Sequence, residues 1–313
     1  MSAETILNLP ANHGARSTNL PWYQPSLENK LNERVRRVFE EYSRIPPDEV
    51  ESHVYEVREL AWSVFPWPCI GEFWFLELGL TRHPEYNHVL RTLKEGSVQN
   101  LNPKILDLGT CLGQDLRELA HNGAPINTLY GADLVAGFEA VGYELFRDSN
   151  RFGPSNFITG NIFSNDIDDG LVKTRGTWDI IHATMFLHIW ALEDQEKACV
   201  NILKLLRQSP GSLVVGTQTG TAKPGEFTVK PPLCEPGEQK VVYRHSKETM
   251  RDMWMRAGMM VGMSLDVKTG YDEEERMGRE KGRLEKGPEW EAKQRFFAGS
   301  DQRRIFLTVL RLG

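Results

Sequence analysis

The stretch Lys104-Ile-Leu-Asp-Leu-Gly-Thr-Cys-Leu-Gly-Gln-Asp-Leu116 decides the fold of this chain of 313 residues. Its mostly apolar run Ile105–Leu108 predicts a buried strand, and Gly109 and Gly113 bracket the turn that follows. We expect a helix to begin at Gln114. A strand, a glycine turn and a helix in this order are typical of a Rossmann-like βαβ unit, whose backbone approaches a nucleoside ligand closely.

A second strand supports this interpretation. The apolar run from Leu129 to Ala132 ends on Asp133, which lies roughly 20 residues after Gly113 and so has the spacing at which an acidic residue binds ribose hydroxyls. The sequence therefore predicts that Asp133 contacts the sugar of a bound nucleoside.

The spacing of the glycines distinguishes two cofactors. A dinucleotide site uses G-x-G-x-x-G, which seats a pyrophosphate at the N-terminus of a helix. This chain instead has Asp107-x-Gly109-x-Cys111-x-Gly113, and Asp115 adds a second carboxylate where the helix begins. Two negative charges would repel a pyrophosphate, whereas they suit a ligand that carries an ammonium and a sulfonium. S-adenosylmethionine is such a ligand, and a NAD-type oxidoreductase is the poorer alternative.

Three stretches, Leu106–Leu116, Leu129–Leu134 and Gly142–Asp148, resemble those of class I S-adenosylmethionine-dependent methyltransferases. Upstream, the segments Phe65–Gly71 and Phe73–Leu76 narrow the resemblance to a fungal secondary-metabolite group, that of the austinol- and andrastin-type meroterpenoid pathways. The resemblance extends over most of the chain from about Pro21 onward. Cys111 stands where the superfamily in general has a central glycine, and this fungal group accepts a larger residue there.

The resemblance implies an α/β fold with a seven-stranded, mostly parallel, Rossmann-like sheet and an N-terminal helical cap. We expect an irregular arm at residues 1–26, a helical cap and substrate region at 27–100, and a cofactor-binding core at 101–313. Within that core, residues 269–303 alternate acidic and basic side chains, which predicts a solvated insertion and leaves a lid as the alternative.

The resemblance also implies that S-adenosyl-L-methionine is the cofactor. The turn after the first strand would hold it, Asp133 would bind its ribose, and an amide residue after the third strand would face its adenine. The cofactor-binding residues predicted on this basis are Asp107, Gly109, Thr110, Gly113, Asp115, Asp133, Leu134, Asn161, Ile162, Phe163 and His182.

An acceptor site for a bulky apolar molecule is predicted from aromatic and apolar residues and from a loop. The residues are Phe65, Trp67, Phe186 and Leu187, and the loop is the Pro/Gly-rich segment Thr217–Gln239.

His188 is the candidate catalytic base. A carboxylic acid acceptor is already ionised at pH 7 and needs no base, whereas a phenol does. The lack of an obvious acid/base pair favours the carboxylate, and the fungal relatives are regarded as carboxyl O-methyltransferases.

Composition limits the other functions. The net charge of −6 and the pI near 5.8 argue against a nucleic-acid partner, which needs clustered Lys and Arg. The four cysteines have no metal-ligand spacing, so no metal is expected. No segment approaches the roughly 20 apolar residues of a membrane helix.

We expect a cytoplasmic enzyme with a small-molecule natural product as its partner and a homodimer as a possible assembly. A non-catalytic methyltransferase-like interaction module is a minor alternative.

Local patterns give further expectations. Apolar residues from Leu27 to Arg44 have helical spacing, and Asp48 is expected to cap a second helix. Late in the chain, Met260–Val267 and Arg304–Arg311 are predicted strands.

Overall fold

The computed structural model describes residues 17–27, 30–99, 101–234, 237–275, 277 and 302–313. Within these ranges the α-helices are α1 (Glu33–Arg37), α2 (Val50–Val64), α3 (Pro68–Gly71), α4 (Tyr86–Val98), α5 (Gln114–His121), α6 (Gly137–Phe146), α7 (Leu192–Leu205) and α8 (Lys247–Met260). The strands are β1 (Ile105–Leu108), β2 (Leu129–Asp133), β3 (Phe157–Thr159), β4 (Ile180–His182), β5 (Leu213–Thr221), β6 (Gly225–Thr228), β7 (Val241–Arg244), β8 (Leu265–Tyr271) and β9 (Gln302–Arg311). Across the described ranges, no helix is both long enough and apolar enough to span a membrane.

Seven strands form one sheet in the order β3-β2-β1-β4-β5-β9-β8. The pairs β1–β2, β2–β3 and β4–β5 are parallel, whereas β9 runs antiparallel to both of its neighbours, β5 and β8. This mostly parallel order with one reversed strand confirms the predicted Rossmann-like sheet. A separate two-stranded sheet joins β6 to β7.

The chain divides into two compact units. The described residues of the first unit lie within Met1–Arg82, Tyr86–Asn161 and Asp166–Leu171. Those of the second unit lie within His83–Glu85, Ile162–Asn165 and Val172–Gly313.

The helices of the first unit differ in detail from the sequence pattern. The predicted helix over Leu27–Arg44 begins only at Glu33, and α1 continues as a π-helical turn over Val38–Tyr42. The prediction that Asp48 caps α2 is wrong, because Glu49 occupies the N-cap position and makes no side-chain capping bond. The Glu49 N–H instead donates to the Pro46 carbonyl, so a backbone turn leads into the helix.

In the second unit, pairing between strands extends the predicted elements. β5 runs to Thr221 because β9 pairs with it along its whole length, so part of the predicted loop Thr217–Gln239 is strand, and β6 adds another. The strand predicted at Met260–Val267 begins only at Leu265, because α8 continues to Met260. Residues 276 and 278–301 of the predicted insertion lie outside the described residues, so its role as a lid stays a prediction.

A buried ion pair lies in the core of the first unit. Arg117 of α5 binds both carboxylate oxygens of Asp148, at 2.9 Å and 3.0 Å, and both side chains are 0% exposed. Tyr42 donates its hydroxyl to the same carboxylate at 2.8 Å. Four aromatic rings surround the guanidinium at 4.5–5.7 Å from their centroids, those of Phe152, Phe146, Phe157 and Tyr143. The buried Arg117 charge is therefore paired with a carboxylate, because burying a charge without a partner would cost far more free energy.

We expect the substitution Asp148→Asn to lower the free energy of unfolding by roughly 3–5 kcal/mol, because it leaves the buried Arg117 charge uncompensated. Equilibrium unfolding in urea measures this loss. The control Glu196→Gln removes an exposed partner that contacts Arg256 at 2.6 Å, and it should cost less than about 1 kcal/mol. Equal losses in the two variants would contradict the structural role of the Asp148 pair.

Candidate functional site

The turn that follows β1 in the first unit has a left-handed backbone at three positions. The φ angles are 76° at Gly109, 52° at Cys111 and 73° at Gly113. A Cβ atom added to Gly113 would also collide with the guanidinium of Arg117, so glycine is required there by space as well as by φ. Cys111 adopts the conformation that a central glycine would take at less cost, since left-handed φ costs an L-residue roughly 1–2 kcal/mol.

Carboxylates and backbone amides meet beside this turn. Asp133 accepts the Cys111 N–H at 3.0 Å through Oδ2 and the Val135 N–H at 3.0 Å through Oδ1. The Thr110 hydroxyl donates to Asp107 at 2.7 Å. Burial, together with the nearby charge of Asp107, raises the pKa of Asp133, although its bonds to backbone amides act in the opposite direction. This environment favours an approaching cation or hydroxyl donor over an anion.

Two other predicted cofactor residues have partners within the first unit. Asp115, which is 4% exposed, accepts the Leu80 N–H at 2.8 Å and so anchors a segment that precedes α4. The Asn161 N–H donates to Asp169 at 2.9 Å, and Asp169 also accepts the Leu171 N–H at 2.8 Å. Sequence reasoning missed Asp169 as the residue that fixes the loop after β3. The dipeptide Asp169-Gly170, which is typical of a turn, is the sequence pattern that could have identified it.

The residues of the first unit fit S-adenosylmethionine. Asp133 has carboxylate lone pairs suited to ribose hydroxyls, and Leu134 beside it exposes 36% of an apolar side chain that can pack on a purine. Asp107 and Thr110 are 4% and 3% exposed, so they support the turn from within. The left-handed turn allows the backbone to approach the ligand, and the acidic character suits a cationic amino-acid portion.

In the second unit, Gln218 holds the loop that follows β4. Its Oε1 accepts the N–H groups of Phe186, at 3.1 Å, and Leu187, at 2.9 Å, while its Nε2 donates to the Ala183 carbonyl at 2.7 Å. Gln218 is 0% exposed. The predicted cofactor residue His182 is also buried and pairs through Nε2 with Thr184 at 2.6 Å. The sequence did not identify Gln218 as a site residue, because its hydrogen-bond partners lie more than 30 residues earlier in the chain and no local pattern predicts them.

His188 lies on this loop among cationic groups. The Arg244 guanidinium donates to its backbone carbonyl. Burial, together with the positive charges of Arg244 and Arg304, lowers the pKa of His188 to about 3, although a hydrogen bond with Gln218 acts in the opposite direction. Its Nδ1 is buried without a hydrogen-bond partner in the described part of the chain. His188 is therefore a neutral imidazole at pH 7.

The second unit also has an aromatic cluster. Trp190 makes edge-on contacts with Phe163 and Phe186, with ring centroids 4.9 Å and 5.1 Å apart. Phe163, which the sequence predicts to contact adenine, therefore shares the partner Trp190 with the predicted acceptor residue Phe186. Ile162 is buried, and its backbone carbonyl accepts a hydrogen bond from Asn201 Nδ2 at 2.9 Å.

The remaining predicted acceptor residues differ in exposure. Phe65 and Trp67 of the first unit pack together with ring centroids 4.4 Å apart. Phe65 and Leu187 are buried, whereas Trp67 and Phe186 are half-buried. Trp67 and Phe186 therefore have surface that an apolar ligand could contact.

Comparison with known proteins identifies relatives among fungal enzymes. A family model described as the meroterpenoid methyltransferase N-terminal domain matches residues 22–76. The O-methyltransferase phiE of a fungal species is 34% identical over 282 residues, which cover 90% of each protein. The O-methyltransferase atr3 of Stereocaulon alpinum is 37% identical, over 85% of this chain and 73% of the relative. The Asnovolin E/Chermesin D methyltransferase nvfJ of Aspergillus novofumigatus is 37% identical, over 60% of this chain and 65% of the relative.

We expect Asp133→Ala to weaken S-adenosylhomocysteine binding by roughly 1–3 kcal/mol, the cost of removing a charged hydrogen-bonding partner. Isothermal titration calorimetry measures the affinity. Asp266→Ala is the matched control, since Asp266 is a half-exposed carboxylate on β8. Unchanged affinity in Asp133→Ala would remove this residue from the cofactor site.

The substitution Gln218→Met should release the loop after β4, because it removes the acceptor of the Phe186 and Leu187 amides at similar side-chain volume. Each orphaned group costs roughly 1–3 kcal/mol. Hydrogen exchange is expected to accelerate at these two amides more than in the middle of β5. The exposed Gln208→Met serves as the control. A uniform acceleration in both places would instead indicate global destabilisation.

Proposed function

Because the chain belongs to the family of fungal O-methyltransferases that these relatives represent, we propose that it methylates the carboxylate of a bulky apolar acid, of terpenoid or meroterpenoid type, with S-adenosylmethionine as the donor. The observation that carries the carboxylate assignment is the electrostatic environment of His188. The match of residues 22–76 to a meroterpenoid methyltransferase domain supports the substrate class.

The low basicity of His188 supports an acceptor that is already ionised. A histidine with a pKa of about 3 lies roughly seven units below a phenol, so it accepts a phenolic proton very unfavourably. A carboxylic acid with a pKa near 4 has lost its proton at pH 7 without help from the protein. The reaction then depends on orientation, which a neutral side chain can provide.

The charges around His188 support the same assignment. Arg244 is 6% exposed, and burial lowers its pKa to about 10, which leaves it cationic at pH 7. Its charge and that of Arg304 both act on His188. A positive region of this kind attracts an anion, and charge-assisted bonds from guanidinium groups to carboxylates are among the strongest in proteins. A neutral phenol would gain less from it.

The aromatic cluster of Phe163, Phe186 and Trp190 supports an apolar acceptor. Pockets for small molecules are lined mainly by apolar and aromatic side chains, with a few polar groups that fix orientation. In the proposed site, the cluster contacts the hydrocarbon skeleton of the acceptor.

The first unit would hold the donor. Asp133 binds the ribose hydroxyls, Leu134 packs on the adenine, and the turn from Gly109 to Gly113 accommodates the amino-acid portion beside Asp107. When bound, S-adenosylmethionine supplies a methyl group activated by a sulfonium. The protein's contribution is to align the acceptor oxygen about 3 Å from the methyl carbon and to exclude water, which is catalysis by proximity and orientation.

One observation favours phenol or hydroxyl O-methylation as the second candidate. The buried Nδ1 of His188 has no partner in the described ranges, so it has a free position at which to receive a proton. In that reaction His188 would act as the general base.

The proposal is tested with S-adenosylmethionine that carries a labelled methyl group. The enzyme is incubated with a panel of terpenoid and polyketide acids and phenols, and the apolar product is treated with mild alkali. We expect release of the label as methanol, which identifies a methyl ester. Label that survives alkali would identify an ether or a C- or N-methyl product and overturn the carboxylate assignment.

Substitution of His188 separates the two candidates. His188→Ala should leave kcat for a carboxyl acceptor nearly unchanged, whereas it should lower kcat for a phenol by roughly 10²–10⁴-fold through loss of the base. Because the proposed acceptor is ionised, kcat/KM should stay level from about pH 6 to pH 9. His88→Ala is the control, since His88 is exposed. A rate that climbs with pH through this range would indicate a phenol.

A further inference from the structure

Helix α7 of the second unit carries two side-chain amides that bind backbone carbonyls at the aromatic cluster. Gln195 Nε2 donates to the Trp190 carbonyl at 2.8 Å, and Asn201 Nδ2 donates to the Ile162 carbonyl at 2.9 Å. Trp190 belongs to the cluster, and Ile162 directly precedes its member Phe163. One helix therefore holds two of the three chain segments that form the cluster.

Gln195 also joins the cluster to β7. The same Nε2 donates to the Tyr243 carbonyl at 2.8 Å, and the Tyr243 N–H donates to the Trp190 carbonyl at 3.0 Å. Arg244, the next residue of β7, donates to the His188 carbonyl. The Gln195 amide thus fixes the strand that carries Arg244 against the loop that carries Trp190.

Gln195 is fully buried, and its two partners determine the orientation of its amide. Both partners are carbonyls, which only accept hydrogen bonds, so the NH2 group must face them. The Oε1 atom is buried without a hydrogen-bond partner in the part of the chain that the structure describes. A buried acceptor without a partner costs free energy, so stability alone does not favour an amide here. The two donated bonds are what requires one.

Packing makes α7 a rigid support for both amides. Its buried apolar residues include Ala198, Cys199, Ile202 and Leu203. At about 1.5 Å per residue, Gln195 and Asn201 lie about 9 Å apart along the helix axis. The rings that they support, those of Trp190 and Phe163, make an edge-on contact with centroids 4.9 Å apart. Both rings are half-buried, so each retains surface for a ligand.

We propose that Gln195 and Asn201 are positioning residues for the acceptor. They set the relative placement of the Trp190 and Phe163 rings, and Gln195 also sets that of Arg244. The acceptor's hydrocarbon skeleton and its carboxylate are thereby held at a fixed separation. The inference rests on the proposed function, in which the cluster contacts the acceptor. A displacement of about 1 Å can lower the rate roughly 10²-fold, so this placement controls the reaction.

The test measures the steady-state kinetics of Gln195→Met, which removes both donated bonds at similar side-chain volume. The acceptor is the member of the terpenoid and polyketide panel that the wild type methylates fastest. We expect KM for this acceptor to rise about tenfold or more and kcat to fall, while calorimetry shows unchanged affinity for S-adenosylhomocysteine. A loss of folded enzyme would lower kcat and leave KM as it is. An unchanged acceptor KM would overturn the inference.

The variant Gln195→Glu adds a pH profile. An ionised carboxylate cannot donate to the two carbonyls, whereas a protonated carboxyl can donate to one of them. Burial raises the pKa of the introduced carboxyl, so kcat/KM for the acceptor should decline as the pH rises from about 6 to 9. The wild type should stay level over this range. A variant with the wild-type KM and a level profile would contradict a role for the Gln195 donor.

Asn201→Leu provides a second test that does not depend on how Gln195 variants fold. It removes the bond to the Ile162 carbonyl and should likewise raise KM for the acceptor. The exposed Gln208→Met is the matched control and should keep wild-type kinetics. An acceptor KM that stays at the wild-type value in Asn201→Leu would remove Asn201 from the proposal.

The proposed function is decided separately, by alkali treatment of the wild-type product. An alkali-stable product would overturn the carboxylate assignment, and the comparison of KM values with that acceptor would still decide the inference. Absence of transfer by the wild type to every member of the panel would overturn the proposed function and the inference with it.

Discussion

The buried pair of Arg117 and Asp148 is the interaction on which the first unit depends. Both side chains are fully buried, so neither charge is compensated by water. Arg117 also contacts the Leu112 carbonyl at 3.4 Å and fills the space beside Gly113. The same guanidinium therefore joins the core to the proposed cofactor turn. A buried pair of this kind adds little net stability over an apolar replacement, yet the loss of one partner is costly, and this fixes the arrangement.

The residues beside the turn after β1 and those around His188 differ in charge. In the first unit, Asp107 and Asp133 make the region beside the turn acidic, which suits the cationic donor. In the second unit, Arg244 and Arg304 act on His188 and make its surroundings basic, which suits an anionic acceptor. Methyl transfer from a sulfonium to a carboxylate joins a cation and an anion. The charge distribution thus agrees with the proposed chemistry without a strong base.

Backbone hydrogen bonds to side chains fix the loops at the proposed site. Asp133 and Asp169 accept amides in the first unit, and Gln218 accepts two in the second. Each of these acceptors leaves a loop with fewer accessible conformations before any ligand arrives. Preorganisation of this kind lowers the entropy that binding must overcome. It also explains how a short loop can hold His188 while its Nδ1 stays without a partner in the described residues.

The sequence by itself determined the parts of this protein that depend on local order. The strand, glycine turn and helix from Ile105 to Leu116 predicted the Rossmann-like sheet, and the position of Asp133 at the end of the second strand was also predictable. These features follow from local backbone geometry and from apolar periodicity, which neighbouring residues encode. The acidic character of the region beside the turn was predictable for the same reason, because Asp107 and Asp133 lie within these elements.

Only the tertiary structure decided which polar residues are buried and what they contact. In α5, the polar residues Asp115, Arg117 and Glu118 are all buried. Their partners are distant in sequence: the Leu80 amide, Asp148 and the Tyr86 hydroxyl, respectively. The contact of Gln218 with the loop after β4 is equally non-local. A polar group is buried only where the folded chain brings it a partner, and local sequence does not specify that partner.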